Sequence, residues 1–156
     1  MTPLDVCSAA FSLHGGSLAT SSIRVLVVDD FEPFRRFVCS NLEQRPDLQV
    51  IGVALDGLEA VRKVQELQPD LILLDIGLPT LNGIEVARRI RKFAPESKII
   101  FVSQESSADV VQEALSLGMC GYLAKSQAQS DLLAAVDAVL EGRQFLSGGL
   151  SGWHFN

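Results

Sequence analysis

Chemically reactive side chains stand directly after four apolar segments of the sequence. IRVLVV is followed by Asp29 and Asp30, and LILL is followed by Asp75. IIFV precedes Ser103, and YLA precedes Lys125. Carboxylates that crowd together repel one another and are driven toward protonation unless a cation lies among them. Mg²⁺ suits such a group, because it takes one or two carboxylates with waters and shares its shell with phosphoryl oxygens.

An aspartate beside Mg²⁺ and a lysine can attack phosphorus, because both cations neutralise charge on the oxygens. Taken singly, each residue has a simpler explanation. An acidic residue or a serine at a strand end commonly caps a helix, and a lone lysine is commonly a surface charge. The joint occurrence of carboxylates, a hydroxyl and an amine at four strand ends favours a site that handles phosphate, with Asp75 as its nucleophile and Lys125 as its cation.

The elements that must position these residues alternate regularly along the chain. Apolar, β-branched segments predict strands at 23–28, 48–54, 70–75, 98–102 and 120–124. Each is followed by apolar residues at helical spacing. Such an alternation predicts a doubly wound α/β domain with a parallel sheet and helices on both faces. Ligands of these sheets bind beyond the carboxyl ends of the strands, where the reactive residues stand.

Length and composition fit one domain with short ends. The 156 residues are 47% hydrophobic and 21% charged, which is typical of a globular protein. We expect an N-terminal tail at 1–22, the domain at 23–146 and a linker or end at 147–156. The tail lacks the basic start of a signal peptide, and no apolar run is long enough to span a bilayer.

Charge and cysteine content narrow the possible partners. A net charge of −6 disfavours nucleic-acid binding, and no basic recognition helix follows Leu150. We therefore expect no direct DNA binding and no membrane contact by this chain. Cys7, Cys39 and Cys120 lack the close spacing of a zinc site or redox pair, which favours reduced thiols and a cytoplasmic location.

The strings VLVVDD, DLILLDIGLPTLNGIEV, IIFVS and GYLAK resemble the receiver (CheY-like) domain of two-component response regulators over about residues 23–146. The C-terminal part of the sequence is similar to that of receivers joined to a LuxR-type helix-turn-helix, here without that DNA-binding domain. The resemblance implies a flavodoxin-like, five-stranded sheet of order 2-1-3-4-5. It also implies Mg²⁺-dependent phosphorylation by a sensor histidine kinase or a small phosphodonor, regulation of transcription and possible homodimerisation.

The resemblance also assigns roles to individual residues. It makes Asp75 the phosphoacceptor, and Asp30 and Asp75 direct Mg²⁺ ligands together with the backbone carbonyl of Gly77. Asp29 would act through a coordinated water. Lys125 would pair with the phosphoryl group. The switch residues would be Ser103 and Tyr122, which reshape the surface of helix 4, strand 5 and helix 5.

Three positions depart from the family pattern. Ser126 replaces the proline that often follows the lysine, so a cis peptide bond there is less strongly implied than in receivers with that proline. Gln104 is bulkier than the residue often found after the switch serine and would narrow access to the phosphate. Gly77 would widen it. Residues 1–22 have no counterpart in the family.

Two other functions use or keep the same fold or chemistry as a phosphorylated receiver. A magnesium phosphohydrolase of the haloacid dehalogenase type also forms an aspartyl phosphate, but it needs a second acid where this chain has Gly77. An unphosphorylated interaction module would lack a pocket residue, whereas all of them are present. We therefore expect a phosphoacceptor that is not an enzyme, apart from its own dephosphorylation.

Overall fold

The computed structural model describes residues 22–104, 107–118 and 121–147. Cys7, Cys120 and nearly all of the predicted tail and end lie outside them. The described chain forms one parallel sheet flanked by helices. Its strands are β1 (Ile23–Val28), β2 (Leu48–Ala54), β3 (Leu71–Asp75), β4 (Lys98–Ser103), β5 (Gly121–Ala124) and β6 (Phe145–Leu146). Its helices are α1 (Glu32–Glu43), α2 (Gly57–Leu67), α3 (Gly83–Phe93), α4 (Ala108–Ser116) and α5 (Ala128–Leu140).

The sheet has the order β2-β1-β3-β4-β5-β6, so the prediction of five strands was wrong by one. The first five strands follow the expected order. The sixth strand has only two residues and pairs in parallel with β5. Beyond it Ser147, which is fully buried, donates its backbone N–H to the Tyr122 carbonyl at 3.0 Å. Its Oγ accepts a hydrogen bond from the Ala124 amide at 2.7 Å.

The strands are buried on both faces, as their continuous apolar sequences predict. Every residue of β3 is buried, and successive residues of β1 enter different clusters. Leu26 and Val28 pack with residues of α2, α3 and α4. Val25 and Val27 pack with residues of α1 and α5. The helices on the two faces therefore fix the position of the sheet, including the carboxyl ends of its strands.

Local sequence signals fix the helix ends. The Asp56 side chain accepts the backbone N–H of Glu59 at 2.8 Å at the start of α2, as predicted. Gly118 and Gly142 follow α4 and α5 with φ values of +75° and +84°, a conformation that favours glycine. Within the described residues, each helix is too short or too polar to cross a membrane.

A short 3-10 helix at Lys125–Gln127 replaces the turn predicted between β5 and α5. The peptide bond between Lys125 and Ser126 is trans, in agreement with the absence of proline. The helix follows β5 without a gap. It therefore places Lys125 at the carboxyl edge of the sheet.

Candidate functional site

Parallel pairing brings the predicted site residues to one edge of the sheet. Strands β1 and β4 both pair with β3, and β5 pairs with β4, all in parallel. Asp29, Asp75, Ser103 and Lys125 lie at or just beyond the carboxyl ends of these four strands. A cleft of about 540 Å³ lies at this edge, and it is lined by Asp30, Asp75, Ser103 and Lys125.

Three carboxylates cluster at this edge of the sheet, and two of them, Asp30 and Asp75, line the cleft. One oxygen from each of Asp29, Asp30 and Asp75 lies within 4.8 Å of the others. Asp29 and Asp75 are only 2% and 4% exposed, whereas Asp30 is exposed. Within the described residues, the Asp30 carboxylate makes no hydrogen bond or ion pair. A hard divalent cation such as Mg²⁺ fits this oxygen donor set and would relieve the repulsion.

Both oxygens of the Asp29 carboxylate are already in contact with protein groups. Oδ1 accepts the backbone N–H of Phe31 at 2.8 Å, and Oδ2 lies 2.9 Å from Lys125 Nζ. The geometry of the second contact is that of an ion pair without a well-directed hydrogen bond. Arg35 Nη1 also donates to the Asp29 carbonyl at 3.0 Å. These contacts fit an indirect role for Asp29 at a cation, through water.

Asp75 is held close to the same lysine. Its Oδ1 accepts the Gly77 backbone N–H at 3.1 Å, and its Oδ2 lies 3.5 Å from Lys125 Nζ. Burial, and after it the charge of Asp29, raise the pKa of the Asp75 carboxyl above its usual value. The Lys125 charge and the Gly77 bond act in the opposite direction. A cation beside Asp75 would favour the ionised form, which is the nucleophilic one.

The Lys125 side chain is mostly buried, with 12% of its surface exposed. Its ammonium also lies over the ring of Phe34 in α1, 4.7 Å from the ring centroid. The sequence pattern places Phe34 on the core face of α1 but gives no sign of this contact. The periodicity of one helix carries no information about a side chain 91 positions further along the chain.

The two switch candidates, Ser103 and Tyr122, lie at different depths in the protein. Ser103 is buried and lines the cleft, while the neighbouring Gln104 is exposed at its rim. Tyr122 is fully buried and packs in the cluster formed with α2, α3 and α4. The structure therefore brings together all the predicted pocket residues and places Tyr122 in the adjacent core.

A family model for the response regulator receiver domain matches residues 25–137 of this chain. The chain belongs to this family. The flavodoxin-like α/β fold and the receiver resemblance predicted from sequence are thus confirmed. The matched segment contains the three aspartates, Ser103, Tyr122 and Lys125.

Curated relatives of this receiver domain are longer proteins. The transcriptional regulatory protein LiaR of Bacillus subtilis is 35% identical over 130 residues, which are 83% of this chain and 62% of the relative. A protein-glutamate methylesterase/protein-glutamine glutaminase of Thermotoga maritima is 46% identical over 105 residues, or 66% of this chain and 30% of the relative. The receiver domain thus spans less than two thirds of either relative.

Solved structures agree with this assignment. A LuxR-family two-component response regulator from Aurantimonas has a TM-score of 0.79 and 31% identity, with 84% of this chain and 94% of that chain covered. The signal receiver domain of NarL from Mycobacterium tuberculosis has a TM-score of 0.75 and 30% identity, with 80% and 100% covered. This chain therefore matches a solved receiver domain over that domain's whole length.

Proposed function

We propose that this receiver domain accepts a phosphoryl group on Asp75 from a sensor histidine kinase or a small phosphodonor. The observation that carries this proposal is the placement of Asp75 within an acidic cluster that shares a single lysine. Its carboxylate is buried, and Lys125 lies between it and Asp29. This arrangement supplies a nucleophile and a cation for phosphoryl oxygens in one cleft.

In the proposed reaction, an oxygen of the Asp75 carboxylate attacks phosphorus. The bond between phosphorus and the donor atom breaks, and its electron pair stays on the donor atom. For a histidine kinase, that atom is a histidine nitrogen. Lys125 pairs with the phosphoryl oxygens and limits the charge that develops on them. Attack by water on the acyl phosphate later releases inorganic phosphate and regenerates the Asp75 carboxylate.

Mg²⁺ bound to this site would neutralise the phosphoryl oxygens and the carboxylates together. We assign Asp30, Asp75 and the backbone carbonyl of Gly77 as its protein ligands, with Asp29 acting through water. Asp30 has no other partner among the described residues, which supports a direct role. Asp29 is held by Phe31 and Lys125, which supports an indirect one.

The proposed switch begins with Ser103 and Lys125. Phosphoryl oxygens on Asp75 would attract both groups through hydrogen bonds worth roughly 1.5–3 kcal/mol each, since those to charged groups are the stronger ones. Such energies can bias a loop whose two states differ by a few kcal/mol. Tyr122 is fully buried in the adjacent core, and it would rotate into the space that Ser103 vacates. That rotation would reshape the surface of α4 and β5.

The proposed output is the surface of α4, β5 and α5, acting on transcription through an output domain or a partner, with homodimerisation as one route. Two relatives from Bacillus subtilis, the transcriptional regulatory proteins LiaR and LnrK, support this direction. The acidic charge of −6 supports an indirect route over direct DNA contact by this chain. Signalling would then pass through protein surfaces.

Incubation with a small acyl phosphate and Mg²⁺ tests the acceptor. Intact-mass spectrometry should show one added phosphoryl group on the wild type and none on Asp75→Asn. Asp70→Asn is the matched control, because Asp70 precedes the same strand at its opposite end and should be labelled normally. Labelling of Asp75→Asn at the wild-type level would refute the acceptor assignment. On the labelled wild type, amide exchange should change in β5 and α4.

A further inference from the structure

The ammonium of Lys125 is surrounded by groups from three elements of the fold. Asp29 Oδ2 lies at 2.9 Å, Asp75 Oδ2 at 3.5 Å and the centroid of the Phe34 ring at 4.7 Å. The nearest contact is an ion pair without a well-directed hydrogen bond. Two carboxylates and the face of one aromatic ring are therefore neighbours of this ammonium.

We propose that Phe34 is a positioning residue for Lys125: the face of its ring holds the ammonium beside Asp75 during phosphoryl transfer. This inference rests on the proposed function of Asp75. Phe34 would act only through the lysine and would touch neither the phosphoryl group nor a cation. It adds to the pocket a residue that the acidic and hydroxyl motifs do not contain.

The ring is a suitable holder because its π-face carries partial negative charge and attracts ammonium groups. This attraction strengthens when water is excluded, and the Lys125 side chain is only 12% exposed. The ring itself is supported from below. Phe34 packs against the core cluster of α1 and α5, and its centroid lies 5.9 Å from that of Phe37 with an interplanar angle of 37°.

The ring also differs from the carboxylates in what happens when the site is loaded. Asp75 becomes an acyl phosphate in the proposed reaction and loses its charge as a carboxylate. Asp29 would act on the cation through water. Phe34 is neutral and binds neither metal nor phosphorus, so transfer does not change the charge distribution of its ring. It therefore limits the freedom of the flexible lysine side chain at the step where Lys125 must meet phosphoryl oxygens.

Fluorination of the ring distinguishes the positioning role of Phe34 from a purely structural one. Replacing Phe34 by phenylalanines with one, two and three ring fluorines weakens the negative face stepwise and changes the ring's shape little. We expect the rate of phosphorylation by an acyl phosphate with saturating Mg²⁺ to fall in the same steps, reaching roughly threefold to tenfold, the range of a partly buried cation–π contact. A structural role predicts no graded fall.

Natural substitutions give the matched controls. Phe34→Leu should slow labelling to a similar extent, and Phe34→Tyr, which keeps the aromatic face, should restore most of the rate. Phe37→Leu removes an aromatic ring from the same cluster without a contact to Lys125, and should be labelled at the wild-type rate. In a Lys125→Ala background, Phe34→Leu should cause no further loss, since coupling requires both partners.

A readout in the unphosphorylated protein separates this inference from the proposed function. Protons on the carbon next to the Lys125 nitrogen lie near the ring face, so their NMR signals should be shifted upfield in the wild type and in Phe37→Leu but not in Phe34→Leu. A missing shift would overturn the contact. A flat fluorine series on a protein that is labelled would overturn the positioning role. A wild type that shows the shift but takes no label would instead refute the proposed function, and with it the role.

Discussion

The two ends of the sheet contrast in how their polar groups are satisfied. Each end has a cleft, of about 540 Å³ at the carboxyl ends of the strands and about 430 Å³ at the amino ends. At the amino end, Asp70 accepts the Arg24 backbone N–H at 2.9 Å, and the same arginine's Nη1 donates to the Gln68 carbonyl at 2.7 Å. Ser97 Oγ donates to the Pro69 carbonyl at 2.7 Å.

The carboxyl end is arranged in the opposite way. Three carboxylates cluster there, Asp29 and Asp75 share Lys125, and Asp30 has no partner among the described residues. Repulsion of this kind costs stability in the free protein, and it is relieved when a cation and a phosphoryl group arrive. The comparison shows that cleft size alone does not indicate function, because the amino-end cleft is nearly as large. Carboxylates without enough partners are a better indication of a functional site.

Magnesium binding should show the largest difference between the two ends. Asp30→Ala removes the exposed carboxylate and should weaken Mg²⁺ binding roughly tenfold or more, since affinity depends on the count of charged ligands. Asp70→Ala removes a carboxylate at the amino end and should leave the affinity unchanged. Titration calorimetry or NMR shifts can measure both. Equal weakening by the two substitutions would remove the distinction between the ends.

Stability should respond more strongly at the amino end. Ser97→Ala loses a buried hydrogen bond to the Pro69 carbonyl and should lower the free energy of unfolding by roughly 1–2 kcal/mol. Labelling of Asp75 should continue at the wild-type rate. Ser130→Ala, whose hydroxyl bonds to the Gln127 carbonyl on an exposed helix turn, is the control and should cost less than about 0.5 kcal/mol. Urea unfolding measures both variants.

The smallest effect should be a gain of stability at the carboxyl end. The pKa of Asp75 is raised in the folded protein, first by burial and then by Asp29, so its ionised form opposes folding. Asp75→Asn should therefore raise the melting temperature at neutral pH without Mg²⁺. The gain should shrink as pH falls through the raised pKa and vanish below about 3.9, the ordinary value in the unfolded chain. A gain that persists at low pH would contradict this explanation.

Much of the fold followed from the sequence because its signals are local. Continuous apolar strands, helical periodicity, the Asp56 cap and the glycines at 118 and 142 each act within a few residues. The sixth strand was missed because two residues are too few to show a period. It forms only because α5 returns the chain to β5, and that return depends on tertiary packing.

The site was also predicted only in part. The strand-end residues could be predicted because parallel strands bring their carboxyl ends to one edge. The side-chain contacts at the site could not be predicted. The positions of Lys125 over Phe34, of Arg35 on the Asp29 carbonyl and of Tyr122 inside the core depend on side-chain geometry between distant segments.

The short strand β6 and Ser147 also affect how this chain meets other chains. A strand at the edge of a sheet presents unpaired N–H and C=O groups that can recruit a strand from another molecule. Phe145 and Leu146 pair with β5, and Ser147 takes up both the Tyr122 carbonyl and the Ala124 amide. The outer edge of β5 is thereby covered, and the edge strand becomes β6, which has two residues instead of the four of β5. So short an edge strand offers another chain little backbone to pair with.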